Sequence, residues 1–228
     1  MKFRWTVALL AATTMGTAMA QTAAPAPDKN KLSYAIGYQI GRDFAERKLD
    51  VDIEAVIRAI RDGQAKREPT VPVAEMDAAL TAMQKRLGEQ AKAEFDKVAG
   101  ENKQKSDAFL AQNRTKTGVQ VLSSGIQYRV IENGSGARPT AASNVEIHLR
   151  GSISTGQEFA STYQGNKPLE IQVGEAPMTG LRTVLPMMNV GSRWEIFLPP
   201  DQAYGADPRS PIGPNQAVVL DVKLVSVK

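Results

Sequence analysis

Few residues of this chain are equipped for covalent or metal chemistry, and that scarcity decides which functions are open to it. The 228 residues include one histidine, His148, and no cysteine. A lone imidazole cannot hold zinc without partner ligands, and no His/Asp/Glu cluster stands near it in sequence. Without cysteine there is no thiol nucleophile and no disulfide, so the fold suits either redox compartment. What remains is a tyrosine in a distinctive setting. Val190-Gly-Ser-Arg-Trp-Glu-Ile-Phe-Leu198 reads as a glycine turn opening a strand, and Pro199-Pro200 ends it. Ala203-Tyr204-Gly205 then forms a loop, and Ile212-Gly-Pro-Asn215 turns into a last strand. Tyr204 offers a hydroxyl donor that can orient a bound chain without attacking it. By itself His148 reads as a partly buried side chain hydrogen-bonded to its surroundings. Trp194 alternates with Ile196 and Leu198 and reads as sheet packing, and Met76, Met83, Met187 and Met188 read as packing residues.

The elements that must position Tyr204 follow from composition and period. Residues 1–20 read as a secretory signal peptide. Lys2 and Arg4 form a basic start, residues 6–15 a short apolar core, and Ala18-Met-Ala20 a cleavage site that leaves Gln21 first. That core is far shorter than the ~20 apolar residues of a membrane span, so no span is expected in the mature chain. No cysteine stands at the cleavage site to take a lipid. The formal net charge of +4 falls to +2 without Lys2 and Arg4. Basic residues are interleaved with acidic ones, which argues against a nucleic-acid partner. Residues 21–28, rich in Ala and Pro, are expected to be a disordered tether.

Residues 29–67 read as two helices. Leu32, Ile36, Ile40 and Phe44 recur at helical spacing with Tyr34 and Tyr38 alongside, and Asp50 or Asp52 can cap the second helix. From 73 to 116 the chain is rich in strong helix formers and has no proline, predicting one helix through Gly88 and Gly100. Its first half carries an apolar stripe at Met76, Leu80, Met83, Leu87 and Ala91. Its second half, with Asn102, Lys103, Gln104 and Lys105, reads as a solvated rod, with Phe109 and Leu110 docking on the next domain. After Gly118 the period becomes strand-like, with strands expected near 119–122, 125–131, 144–150, 169–173, 193–198 and 217–227. Residues 179–188 are expected to form one short helix despite Pro186. Several strands and one helix predict an α+β domain, a twisted antiparallel sheet wrapped on that helix.

The last ~110 residues resemble an FKBP-type peptidyl-prolyl cis-trans isomerase. The likeness rests on Val145-Glu-Ile-His-Leu-Arg-Gly151, Gly156-Gln-Glu-Phe-Ala-Ser161, Pro168 to Val173, Thr179-Gly-Leu181, Val190-Gly-Ser-Arg-Trp194, Ala203-Tyr-Gly205 and Ile212-Gly-Pro-Asn215, in that order. Leu32-Ser-Tyr-Ala-Ile-Gly-Tyr-Gln-Ile-Gly41 resembles the start of the helical module in FKBPs of the macrophage infectivity potentiator type. The resemblance implies a helical dimerisation domain with a long linking helix over 29–117 and an FKBP-like isomerase domain over 118–228. It also implies a periplasmic homodimer acting on prolyl peptides and unfolded proteins, with no cofactor and no metal.

Carried over residue by residue, the resemblance makes Phe159 an aromatic wall of the cleft and Tyr204 the donor over the peptide. Ile212 is expected at the rim, Ile171 in the pocket, and Met178 where a backbone amide bonds the bound chain. Leu181 stands where active members usually have Trp, Leu220 where they have Phe, and His148 where they have a Tyr of the cleft wall. Ala160 replaces an Asp, and Glu158 two residues away could stand in for it. The expected function is a prolyl isomerase of low turnover that assists folding of secreted proteins. The alternative is a dimeric holdase chaperone with little or no isomerase activity.

Overall fold

The structure, a computed structural model, describes residues 28–228. The signal peptide expected over 1–20 and the tether expected over 21–28, Asp28 excepted, lie outside the described residues. The chain divides into two compact units, one through Val73 and one from Ala74 to Lys228. In the first, α1 (Lys29–Glu46) begins where the Asp28 carboxylate accepts the amides of Asn30 and Lys31. α2 (Ile53–Gln64) begins likewise at Asp52, which accepts from Glu54 and Ala55. Each cap satisfies amides that the first turn leaves unpaired. Neither helix buries a residue. Leu32, Tyr34, Ile36 and Tyr38 are 47–75% exposed, so the stripe read from the sequence is apolar surface in the single chain.

The second unit opens within the first turn of α3 (Val73–Asn113), which runs unbroken for 41 residues, about 60 Å at 1.5 Å per residue. Ion pairs at i,i+4 spacing, Lys85–Glu89 and Lys103–Asp107 among them, line its exposed faces. Its second half is not a solvated rod. Ala99, Asn102, Ser106, Leu110 and Asn113 are buried, at spacings of three and four residues that keep them on one face. Leu110 packs with Phe197 and Ala217, and Phe109 against them. The polar members bond to the C-terminal sheet domain. Asn102 Nδ2 donates to Pro214 O (2.9 Å), Ser106 Oγ donates to Asn215 O (2.9 Å) and accepts from Ala217 N (2.7 Å), and Asn113 Nδ2 donates to Gln127 Oε1 (3.0 Å). Polarity in a helix face signals solvent only when no backbone group lies opposite it.

Seven strands are found among the described residues: β1 (Val119–Val121), β2 (Gln127–Glu132), β3 (Asn144–Ile153), β4 (Glu158–Ser161), β5 (Leu169–Gln172), β6 (Arg193–Leu198) and β7 (Val218–Val227). They make one antiparallel sheet in the order β1-β2-β6-β7-β3-β4, with β5 pairing the start of β3. Alternation sorts the strands' residues between two faces. Ile147, Leu149, Trp194, Ile196, Leu198, Leu220, Val222 and Leu224 form the core with α4 (Thr179–Val184). Phe197 and Val219 face the other way, under the end of α3. α4 is shorter than the helix expected over 179–188. Pro186 stands in the 3-10 turn Leu185–Met187 just after it, because proline cannot donate in a continuing α-helix. Leu181, Val184, Leu185 and Met188 are all buried across this junction. Gly180 permits the helix to approach β6, since a Cβ there would lie 2.3 Å from a Leu198 methyl.

Glycine substitutions should separate the two kinds of backbone. Gly100→Ala in α3 meets no atom within 4 Å and should stabilise the chain by about 1 kcal/mol. A Cβ at Gly134 would lie 2.3 Å from Val190 O, so Gly134→Ala should cost at least about 2 kcal/mol. Denaturant unfolding of the two variants checks both signs.

Candidate active site

Phe159 lies on β4 and Tyr204 in the loop after the 3-10 turn Pro200–Gln202. Their rings meet edge to face, 6.2 Å between centroids at 74°. Such a T-shaped pair is a favourable aromatic geometry, and it fixes both rings. The Phe159 ring lies close over β3 at Gly151, where a Cβ would come within 2.8 Å of Phe159 Cζ and 3.4 Å of a Leu220 methyl. Gly151 is therefore the gap in β3 that admits the ring. Beneath lie Met178, Leu181 and Leu220, all nearly inaccessible. Ile171 and Ile212, like Phe159 and Tyr204, are half-buried and pack against this floor. The structure thus gathers seven of the eight expected site residues around one apolar cluster. A small open cavity of about 120 Å³ lies between Phe159 and Ile212, with Ile153, Gln157 and Pro211 completing its walls.

Two donors are free at this site. The Tyr204 hydroxyl has no hydrogen-bond partner among the described residues, and burial pushes its pKa above the ordinary phenol value. It therefore stays protonated and able to donate well past neutral pH. The Met178 N–H, just ahead of α4, likewise meets no acceptor among the described residues, while the Met178 carbonyl is taken by Leu181 N.

His148 is not brought to this cluster. Ile147 and Leu149 turn into the core, so His148 leaves β3 on the opposite face. There its ring stacks on Tyr163 (5.0 Å, 19°) and its Nδ1 lies 3.1 Å from Thr162 Oγ1. The Arg150 guanidinium covers the same Tyr163 ring at 5.4 Å. Tyr163 is held in its neutral form by burial and, secondarily, by the nearby Asp221 charge. Asp221 itself is clamped by Arg193 through two bonds of 2.8 and 2.6 Å. The β3 residue on the cleft side is Leu149, which sequence reasoning passed over. The odd-numbered apolar run Val145, Ile147, Leu149 already carried that signal. Leu169 shares the face of Ile171 on β5 and is 40% exposed. Glu158 does not replace the missing carboxylate near Ala160, because it is exposed and 3.6 Å from Arg150. No group of three metal-ligating side chains occurs among the described residues.

Comparison with known proteins decides the family. Residues 136–225 match the model of the FKBP-type peptidyl-prolyl cis-trans isomerase, and residues 29–130 match that of the domain amino-terminal to it. The Outer membrane protein MIP of Legionella longbeachae is 39% identical over 233 residues, covering 100% of this chain and 99% of that protein. The chain belongs to the FKBP-type peptidyl-prolyl cis-trans isomerases. The peptidyl-prolyl cis-trans isomerase Mip of Coxiella burnetii is 32% identical, with 88% of this chain and 87% of that protein covered. Among solved structures, FkpA of Escherichia coli superposes with a TM-score of 0.68 at 26% identity, covering 89% of this chain and 98% of that one. The fold is that of FkpA, a long helical region leading into an antiparallel sheet with a short helix. Leu181 and Leu220, at positions where the family favours aromatic rings, are buried in the apolar core against which Phe159 and Tyr204 pack.

The electrostatics predict a simple pH profile. With Tyr204 protonated and no carboxylate or imidazole lining the cavity, the isomerase rate should be flat from about pH 5.5 to 9. His148→Ala should keep the rate. An inflection near neutrality that disappears in His148→Ala would contradict the placement of His148 outside the pocket.

Proposed function

We propose that this FKBP-type enzyme is a periplasmic homodimer that speeds prolyl isomerisation in secreted proteins as they fold. The observation that carries this reading is the Tyr204–Phe159 pair, with a free hydroxyl, above the apolar floor of Leu181 and Leu220. Rotation about an X-Pro bond is opposed by amide resonance, a barrier of ~18–20 kcal/mol, and no covalent bond has to be made to lower it. An apolar pocket strips water from the amide and favours the twisted form, whose nitrogen has lost its resonance. In this pocket Phe159 and Ile212 flank the proline ring, with Ile171 alongside and Leu181 and Leu220 beneath. The Tyr204 hydroxyl and the Met178 N–H hold the carbonyls of the bound chain. Turnover is low because the floor is aliphatic and Ala160 leaves no carboxylate to polarise the site.

Residues 29–117 form the dimerisation domain in this reading, and residues 118–228 the isomerase domain. The apolar surface of α1, with Leu32, Ile36 and Tyr38 exposed, supports pairing of two chains. Likeness to FkpA over nearly the whole chain supports it too. Residues 1–20, read as a cleaved leader, carry the chain to the periplasm. The described residues contain no helix long and apolar enough to cross a membrane. Two pockets on one dimer engage an unfolded chain with higher avidity than one. The same departures, Ala160, Leu181 and Leu220, favour a second reading, a dimeric holdase in which the pocket binds without catalysing.

The chain from Gln21 onward should sediment as a dimer and should accelerate cis-to-trans conversion of a short X-Pro peptide. Tyr204→Phe should lower that rate about tenfold, the worth of one hydrogen bond made in a dry site. A folded dimer with only the thermal rate selects the holdase reading, and a monomer removes the avidity argument.

A further inference from the structure

We propose that α3 is part of the isomerase pocket's framework, with Asn102 and Ser106 acting as positioning residues for Ile212 and Tyr204; this rests on the isomerase reading of the pocket. The segment that carries Ile212 is braced from within only by local turn bonds. Between Gly205 and Ala217 these are Ser210 N to Asp207 O, Arg209 N to Asp207 Oδ1, Gly213 N to Ser210 O, Ile212 N to Ser210 Oγ at 3.3 Å and Asn215 N to Gly205 O at 2.7 Å, with the Arg209 guanidinium paired to Asp207. Two of its residues, Gly213 (φ 82°) and Asn215 (φ 53°), hold left-handed backbone. Asn tolerates that region better than most residues but does not enforce it. Something outside the segment must fix its course.

α3 supplies that restraint at four points. Asn102 Nδ2 donates to Pro214 O and Ser106 Oγ donates to Asn215 O, both at 2.9 Å. Ser106 Oγ also accepts from Ala217 N at 2.7 Å, and Asn215 Nδ2 returns a bond to Ala99 O at 3.2 Å. Ser106 is fully buried and Asn102 nearly so, which makes these bonds hard to replace by water. The restraint reaches the site by two short routes. Pro214 and Asn215 adjoin Gly213 and Ile212, the rim residue. Asn215 N–H also holds the Gly205 carbonyl, next to Tyr204. The two groups placed to meet a bound proline, one apolar and one a donor, thus hang from a single turn that α3 clamps. A shift of α3 near Asn102 is transmitted to both. Helix α3 therefore contributes to catalysis without touching substrate, and the polar residues that made it look solvated are the means.

The test uses Asn102→Ala and Ser106→Ala in the full chain, with Leu110→Ala as control. Leu110 lies on the same face of α3 and packs on Phe197 and Ala217, but it makes no hydrogen bond to Pro214 or Asn215. Asn102→Ala and Ser106→Ala should each lower kcat/KM on a short X-Pro peptide about fivefold or more, as expected when binding groups lose their alignment. Leu110→Ala should leave it unchanged even if it lowers the melting temperature further. In parallel, the Ile212 δ1-methyl and Gly205 amide NMR signals should shift in the first two variants and not in the control. Wild-type chain with no activity on the peptide would refute the isomerase reading, and the NMR signals would then still decide this one. Unmoved Ile212 and Gly205 signals in folded Asn102→Ala and Ser106→Ala overturn the proposal, as does an equal loss of kcat/KM in Leu110→Ala.

Discussion

Burial of the α4 face against one side of a curved antiparallel sheet is the contact on which the rest of this structure depends. Leu181, Val184, Leu185 and Met188 meet Ile147, Ile196, Leu198, Leu220 and Leu224 with essentially no exposure. That burial is the main source of favourable free energy for the domain, since apolar surface removed from water contributes roughly 25 cal/mol per Å². It also underlies the proposed site, because Leu181 and Leu220 belong to this core and Phe159 and Tyr204 pack against it. A site that works by desolvation needs little more than this, plus a donor or two at the rim.

Polar chemistry is correspondingly displaced from the pocket. Arg193, Asp221, Arg150 and His148 gather on the opposite face of β3, β6 and β7, where alternation along the strands puts them, and Tyr163 packs onto them from the turn after β4. Strand alternation thus gives the sheet an apolar side toward α4 and a charged patch on the other side. The other polar set, along the second half of α3, is buried and hydrogen-bonded to backbone rather than charged. Those bonds attach the helix with fixed geometry, which packing of leucines alone specifies less tightly.

Much of this was legible in the residues. The stripe on α1, a cap at one of Asp50 and Asp52, one long helix beginning near Val73 and the α+β class all follow from spacing and composition. The motifs around Phe159, Tyr204 and Ile212 pointed to the family. Three features differ from expectation, for different physical reasons. The outward course of His148 was available from its apolar neighbours Ile147 and Leu149, whose alternation is a stronger constraint than motif likeness. The docking of Asn102 and Ser106 was not available from local pattern, because their partners, Pro214 O and Asn215 O, are backbone groups more than a hundred residues away. Polar side chains at helical spacing look the same whether water or a distant carbonyl faces them. Pro186 shortened the expected helix at 179–188 for the ordinary reason that it lacks an N–H.

The central claim is that an aliphatic-floored pocket beside Phe159 and Tyr204 catalyses X-Pro rotation. The most direct measurement is NMR of the methyl-labelled chain with a short X-Pro peptide, monitoring both partners in one sample. The account predicts shifts at Leu181, Ile212 and Leu220, together with exchange between the peptide's cis and trans signals faster than the uncatalysed tens to hundreds of seconds. Shifts confined to α1 and α2, with the peptide exchanging at its uncatalysed rate, would contradict it.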